Sequence, residues 1–184
     1  MLAGPGLRVV PLPIHMPLKD VPQALTPQLI RSRALATLRG LRRLFGIENP
    51  RLAMAGLNPH AGEDGLLGAE EKTIIEPVLD QLREEGVEIS GPHAGDALFT
   101  PRARETYDAA LCCYHDQALI PIKALHFDDG VNITLGLPIV RTSPDHGTAF
   151  AIAGRNHAHP GAMIAAIRMA REAELCRRAW ADAG

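Results

Sequence analysis

An α/β fold is predicted by three features of this chain. Short apolar runs alternate with stretches of helical period. Apolar residues make up 46% of the chain, enough for a sizeable core, while aromatic residues are only 4%. Four of the apolar runs end abruptly in polar loops, as strands do at the edge of a sheet. The 184 residues read as a single α/β unit over 1–184, with no internal repeat or low-complexity linker.

The first run, LRVVPL (7–12), reads as a strand leaving into PIHMPLKD. Nothing ahead of it looks able to pair with it, so a missing upstream portion is an expectation. Thr26 suits a helix N-cap, with Pro27 at the first helical position. Ile30, Ala34, Leu38, Leu41 and Phe45 then recur at helical spacing, and Gly46 can close the helix. RLAMAG (51–56) is a second strand, followed by the loop LNPHAGEDGLLG. Helical periodicity returns over 69–85 through Ile74, Ile75, Val78, Leu79 and Leu82, with Pro77 expected to kink or split it. Glu70 and Glu71 in its first turn favour the positive helix end and disfavour a phosphate there.

VEIS (87–90) reads as a short strand and DAALCCY (108–114) as a buried one. QALIPIKAL suggests a short helix interrupted at Pro121, and GVNITLGLP (130–138) another strand. The last helix is expected over 160–183, with a stripe of Met163, Ile164, Ile167, Ala170 and Leu175. The stripes at 30–45 and 163–175 suit either core or interface.

A formal charge of -2 and the scarcity of aromatic residues argue against nucleic acid or an anionic membrane as partner. No run is long enough to span a bilayer, and the start lacks a signal-peptide pattern, which makes the cytoplasm the expected compartment. Three cysteines, with Cys112 and Cys113 adjacent in an apolar run, suit small buried thiols better than a disulfide framework.

In open α/β sheets ligands sit beyond the carboxyl ends of the strands. There the chain places His15, then Asn58 and His60, then His115 with Asp116, and finally Arg141, Asp145 and His146. Three histidines at equivalent strand ends can converge on a divalent ion, since neutral imidazole is a common ligand; each alone is equally a surface or hydrogen-bonded residue. Lys123, Asn132 and Arg141 can cradle a phosphate or carboxylate, or stand as solvated groups at element ends. His93, His126, His157 and His159 lack such a placement. The glycines at 62, 65 and 68 do not form a dinucleotide fingerprint and more simply turn the chain so that His60 points outward.

Taken together, GLNPHAGEDGLLGAEE, CYHDQALIPIK and GVNITLGLPIVRTSPDHGTA resemble the 4-hydroxythreonine-4-phosphate dehydrogenase family of pyridoxal phosphate biosynthesis. The resemblance implies a lobe of an isocitrate/isopropylmalate dehydrogenase-like α/β/α fold, with the N-terminal part absent, working as a homodimer. It implies NAD-dependent oxidation of 4-(phosphooxy)threonine to a β-keto acid, which decarboxylates to 3-amino-2-oxopropyl phosphate. By the same resemblance His15, His60 and His115 bind a divalent metal (zinc, cobalt or magnesium) in a site shared across the dimer. Lys123, Asn132 and Arg141 contact substrate, with Lys123 also a proton carrier. Asp96 and Asp116 orient the histidines, and Asp145 and His146 contact NAD. The chain departs from the family pattern in PIH ahead of the first metal histidine and in Ala118, where glycine is expected. The missing part also holds a substrate-touching His-Thr pair, so weak or no turnover is expected of this chain alone. Relatives acting on four-carbon sugar-acid phosphates or dihydrodiols share these motifs, and a non-catalytic, dimerising metal-binding lobe is the other reading.

Overall fold

The computed structural model describes residues 1–182. Seven strands form one mixed sheet: β1 (Leu2–Gly4), β2 (Leu7–Pro11), β3 (Leu52–Ala55), β4 (Ile89–His93), β5 (Ala109–Cys112), β6 (Val131–Ile133) and β7 (Thr142–Pro144). Their order is β4-β3-β5-β2-β1-β6-β7. The first four in that order are parallel, and β1, β6 and β7 join through antiparallel pairs. The unbroken apolar runs of β3 and β5 follow from this position, because a strand covered on both faces has no wet side. Every residue of both strands is buried. Leu52, Met54 and Leu111 enter the core on one face, while Ala53, Ala55, Ala110 and Cys112 enter it on the other.

Among the described residues seven α-helices accompany the sheet: α1 (Val21–Ala24), α2 (Pro27–Phe45), α3 (Glu76–Glu84), α4 (Gly95–Leu98), α5 (Pro101–Arg104), α6 (His115–Leu125) and α7 (Gly161–Asp182). The helix α2 forms where local signals place it. Thr26 Oγ1 accepts from the Leu29 amide at 3.2 Å, and Gly46 ends the helix at φ 66°. Its apolar face puts Ile30, Ala34, Leu38 and Leu41 against the sheet, each large side chain contributing about 1.5–3 kcal/mol. Pro77 does split its segment. A π-turn over Glu71–Ile75 precedes α3, and Pro77 falls in the first turn of α3. Proline has no N–H and its ring crowds the carbonyl four residues back, and the extra residue in the π-turn relieves both problems. Leu98, Ala118 and Ile122 bring α4 and α6 onto the opposite face.

Several elements differ from the sequence expectation. The strand at 7–12 has a neighbour after all, because Leu2–Gly4 folds back on it as an antiparallel hairpin. His126 clips that hairpin, its Nε2 accepting from the Gly6 amide at 3.1 Å. The strand expected over 87–90 lies at Ile89–His93. The strand expected over 130–138 stops at Ile133, and the chain returns as β7, closed by a Thr134 N–H to Arg141 carbonyl bond of 3.0 Å. The helix after β5 starts at His115 itself and runs through Pro121 to Leu125 without interruption. The last helix buries Ala162, Ala166 and Ala173, and leaves Met163, Ile164, Ile167 and Leu175 exposed. Small residues let α7 approach α2, β6 and β7 closely, so the larger stripe faces outward. The Ala183 end of the helix expected over 160–183 lies outside the described residues. No helix among the described residues is long and apolar enough to cross a membrane.

Candidate active site

Parallel direction gives β2, β3, β4 and β5 a common carboxyl edge, and four polar loops leave it side by side. His15 follows β2, His60 follows β3, Asp96 follows β4 and His115 follows β5. Two adjoining clefts open there. One, of about 400 Å³, is lined by His15, His115, Asn132, Arg141, Asp145 and Arg33. The other, of about 630 Å³, is lined by Asn58, His60, Asp96, Asp116, Gln117 and Ile120.

In the first cleft the rings of His15 and His115 lie 5.5 Å apart, centroid to centroid, tilted by 44°. His115 Nδ1 is 2.7 Å from Asp116 Oδ1, so the carboxylate fixes the ring and leaves Nε2 to face outward. Arg141 reaches in from the β6–β7 hairpin and donates to Thr134 Oγ1 at 2.8 Å. Arg33 joins it from α2, where an exposed arginine has no pattern that would single it out from a solvated helix charge. Two guanidinium groups beside two imidazoles and the Asn132 amide make a cleft suited to an anion such as phosphate or carboxylate. Lys123 does not line either cleft; its Nζ donates to the carbonyl of the cleft residue Asp145 at 3.2 Å and lies 3.6 Å from that residue's carboxylate. His146 is exposed, with Nδ1 3.0 Å from the Gly147 carbonyl.

His60 occupies an unusual turn. Residues His60 to Asp64 all have positive φ, at 51°, 53°, 83°, 42° and 56°. Only Gly62 adopts that region freely, and each other residue gives up about 1–2 kcal/mol there. His60 Nδ1 contacts Glu63 Oε1 at 2.7 Å, and that hydrogen bond and negative charge raise the imidazole pKa, with a smaller contribution from Asp96. Asp96 therefore acts on His60 through its charge, and the direct partner is Glu63. Gln117 joins the two loops: its Oε1 accepts from the Cys113 amide at 2.6 Å and its Nε2 donates to the Gly56 carbonyl at 2.8 Å. Sequence reasoning missed Glu63 and Gln117, since neither has a pattern of its own.

The structure thus brings His15, His115, Asn132, Arg141 and Asp145 to one cleft and leaves His60 in the next. Among the described residues, no three histidine, cysteine or carboxylate side chains gather closely enough to hold an ion. Two adjacent imidazoles with a nearby carboxylate still fit part of a divalent-metal donor set.

The family model for the pyridoxal phosphate biosynthetic protein PdxA matches residues 1–170. The chain belongs to the PdxA family. It is 61% identical over 182 residues to the 4-hydroxythreonine-4-phosphate dehydrogenase of Zymomonas mobilis, covering 99% of this chain and 54% of that protein. The Erythrobacter litoralis dehydrogenase of the same name is also 61% identical, over 183 residues. Among solved structures, the Klebsiella pneumoniae 4-hydroxythreonine-4-phosphate dehydrogenase superposes with a TM-score of 0.79 at 42% identity, over 95% of this chain and 51% of its own. A terephthalate 1,2-cis-dihydrodiol dehydrogenase from Burkholderia xenovorans gives 0.74 at 34% identity, over 93% of this chain. The chain spans about half the length of the PdxA relatives it matches.

Proposed function

We propose that this chain carries the metal- and substrate-binding edge of an NAD-dependent dehydrogenase for 4-(phosphooxy)threonine. The observation that carries this reading is the cleft where His15 and His115 stand 5.5 Å apart beside Asn132 and Arg141. Sequence likeness favours this substrate, with 61% identity to named hydroxythreonine-phosphate dehydrogenases against 34% to the dihydrodiol enzyme. The chain would form the C-terminal half or more of an isocitrate/isopropylmalate dehydrogenase-like subunit, working in the cytoplasm as a single unit over 1–184.

Arg141, aided by Arg33, would take the substrate's anionic end in fork-like hydrogen bonds, and Asn132 would orient its polar backbone atoms. His15, His60 and His115 would hold a divalent ion (zinc, cobalt or magnesium), with Asp116 fixing the His115 ring and Asp96 adding negative charge near His60. Such an ion, when bound, acidifies a coordinated hydroxyl and supplies positive charge against a developing enolate. Asp145 and His146 would help to hold NAD, which supplies a hydride acceptor when bound. Lys123 Nζ would carry the hydroxyl proton released as hydride leaves and return it to carbon once carbon dioxide has departed. The separation of His60 from the other two histidines favours a site completed by a second copy of the chain. The exposed Met163, Ile164 and Ile167 on α7 offer apolar surface for such a pairing.

The test is calorimetric binding of 4-(phosphooxy)threonine to the zinc-loaded chain, beside Arg141→Ala and His115→Ala. A loss of about ten-fold or more in each variant supports the reading, given the usual worth of a charged hydrogen bond. Equal binding by all three proteins contradicts it.

A further inference from the structure

The segment after β3 departs furthest from ordinary backbone geometry, and one buried side chain meets it from below. Glu71 is 1% exposed, although it sits in the first turn of its segment, where an exposed carboxylate is expected. No basic side chain among the described residues pairs with it. Its oxygens instead accept from Asn58, Oε1 from the backbone amide at 2.7 Å and Oε2 from the side-chain Nδ2 at 2.9 Å. The second Nδ2 proton goes to Glu70 Oε2 at 2.8 Å. Asn58 is the residue immediately before the turn that carries His60.

The surrounding glycines show how tightly the carboxylate is enclosed. A β-carbon on Gly62 would come within 2.9 Å of Glu71 Oε2, and one on Gly56 within 3.2 Å of Oε1. A side chain at Gly68 would collide with the Asn58 amide. Glu71 therefore sits between the exit of β3 and the left-handed turn, with the chain wrapped closely around it. The π-turn over Glu71–Ile75 sets its height, because that turn begins at Glu71 itself.

From this we infer that Glu71 is a positioning residue: it holds Asn58, and through Asn58 the left-handed turn that presents the His60 imidazole. The functional value of that presentation rests on the reading of His60 as a metal ligand. A carboxylate suits the task because both of its oxygens accept and neither donates. Glutamine would direct an NH2 group at one of the two Asn58 donors, leaving a buried donor unpaired.

The experiment compares the metal-free and zinc-titrated chain with Glu71→Gln, with Asn58→Ala as the alternative should Glu71→Gln not fold, and with Val78→Ala. Val78 is a buried α3 residue that makes no hydrogen bond to the turn, so its variant controls for general loss of stability. Two readouts need no metal: the NMR signal of the His60 ring, and cleavage after Glu63 by a glutamate-specific protease. The inference predicts that Glu71→Gln shifts and broadens the His60 signal and speeds cleavage about ten-fold or more. Val78→Ala should lower the melting temperature and change neither readout. Zinc affinity should fall about 10–100-fold in Glu71→Gln, the usual effect of removing a group that orients a ligand. An unshifted His60 signal with unchanged cleavage in Glu71→Gln, or in Asn58→Ala where that is the folded variant, overturns the inference. If the turn loosens as predicted but the wild-type chain binds no zinc through His60, the positioning role stands and the metal reading fails.

Discussion

The two halves of the sheet treat their polar residues differently. In the parallel half, β4-β3-β5-β2, the exits of β3, β4 and β5 are tied together by hydrogen bonds to main chain. Gln117 links the exits of β5 and β3, and Glu71 anchors Asn58. In the antiparallel half, β1-β6-β7, Arg141 leans on a single threonine hydroxyl and His146 on the adjacent glycine carbonyl, both in exposed positions. Ile30, Leu79 and Leu111 are fully buried while Ile139, Phe150 and Ile167 are more than half exposed, although Val131 and Ile133 of β6 are buried and Leu18, Leu66 and Ile120 beside the parallel strands are exposed. The exits of β3 and β5 are thus cross-linked to main chain, while Arg141 and His146 stand on exposed surface with one local bond each.

Thiol reactivity separates the halves by the widest margin. Cys112 and Cys113 are buried in the parallel half, and burial pushes both thiols well above their ordinary pKa, whereas Cys176 on α7 is half-buried. Alkylation followed by mass spectrometry should label Cys176 first. The other two should lag by more than about a thousand-fold, because they react only when the sheet opens. Comparable rates at all three would break the distinction.

Core truncation gives the next largest contrast. Ile30→Ala should cost about 2–5 kcal/mol in urea unfolding. Ile167→Ala, at a position 63% exposed, should stay within about 0.5 kcal/mol in dilute solution and weaken self-association at higher concentration. A large unfolding penalty at Ile167 in the monomer would place α7 in the core.

A smaller, pH-dependent effect is expected at Asp108, which joins the start of β5 to Arg51. Burial opposes its ionisation. Bonds from the Arg51 side chain and amide, with the charges of Arg51 and Arg8, outweigh burial and hold the carboxyl below its usual range. A depressed folded-state pKa contributes stability above the unfolded value of about 3.9, lost as pH falls through the folded value. Asp108→Asn should therefore destabilise the chain by about 1–2 kcal/mol near neutrality and by progressively less below about pH 4. Unfolding curves taken across that range check it, and a deficit that grows with acid would reverse the assignment.

The sequence was most legible where local rules act alone. Thr26, Pro27 and Gly46 bound α2 because capping depends on residues a few positions apart. The edge loops bearing His15, His60 and His115 were legible for a similar reason, since each follows a short, largely apolar run. Strands β1 and β7 were not, because three residues carry no periodicity and hold their shape only through β2 and β6. The outward face of α7 was hidden because close contact with small alanines, and not the larger apolar stripe, chooses the inward side. Glu71 looked like a dipole-favouring surface charge, and only the fold of the preceding turn over it reveals a buried acceptor.

The proposed three-histidine divalent site at the carboxyl edge of the parallel strands is open to direct measurement. Metal content of the purified, zinc-supplemented chain, measured beside His15→Ala, His60→Ala and His115→Ala, tests it most directly. A three-histidine site would give about one ion per chain, lost in all three variants. Full metal content retained in any one of them would contradict it.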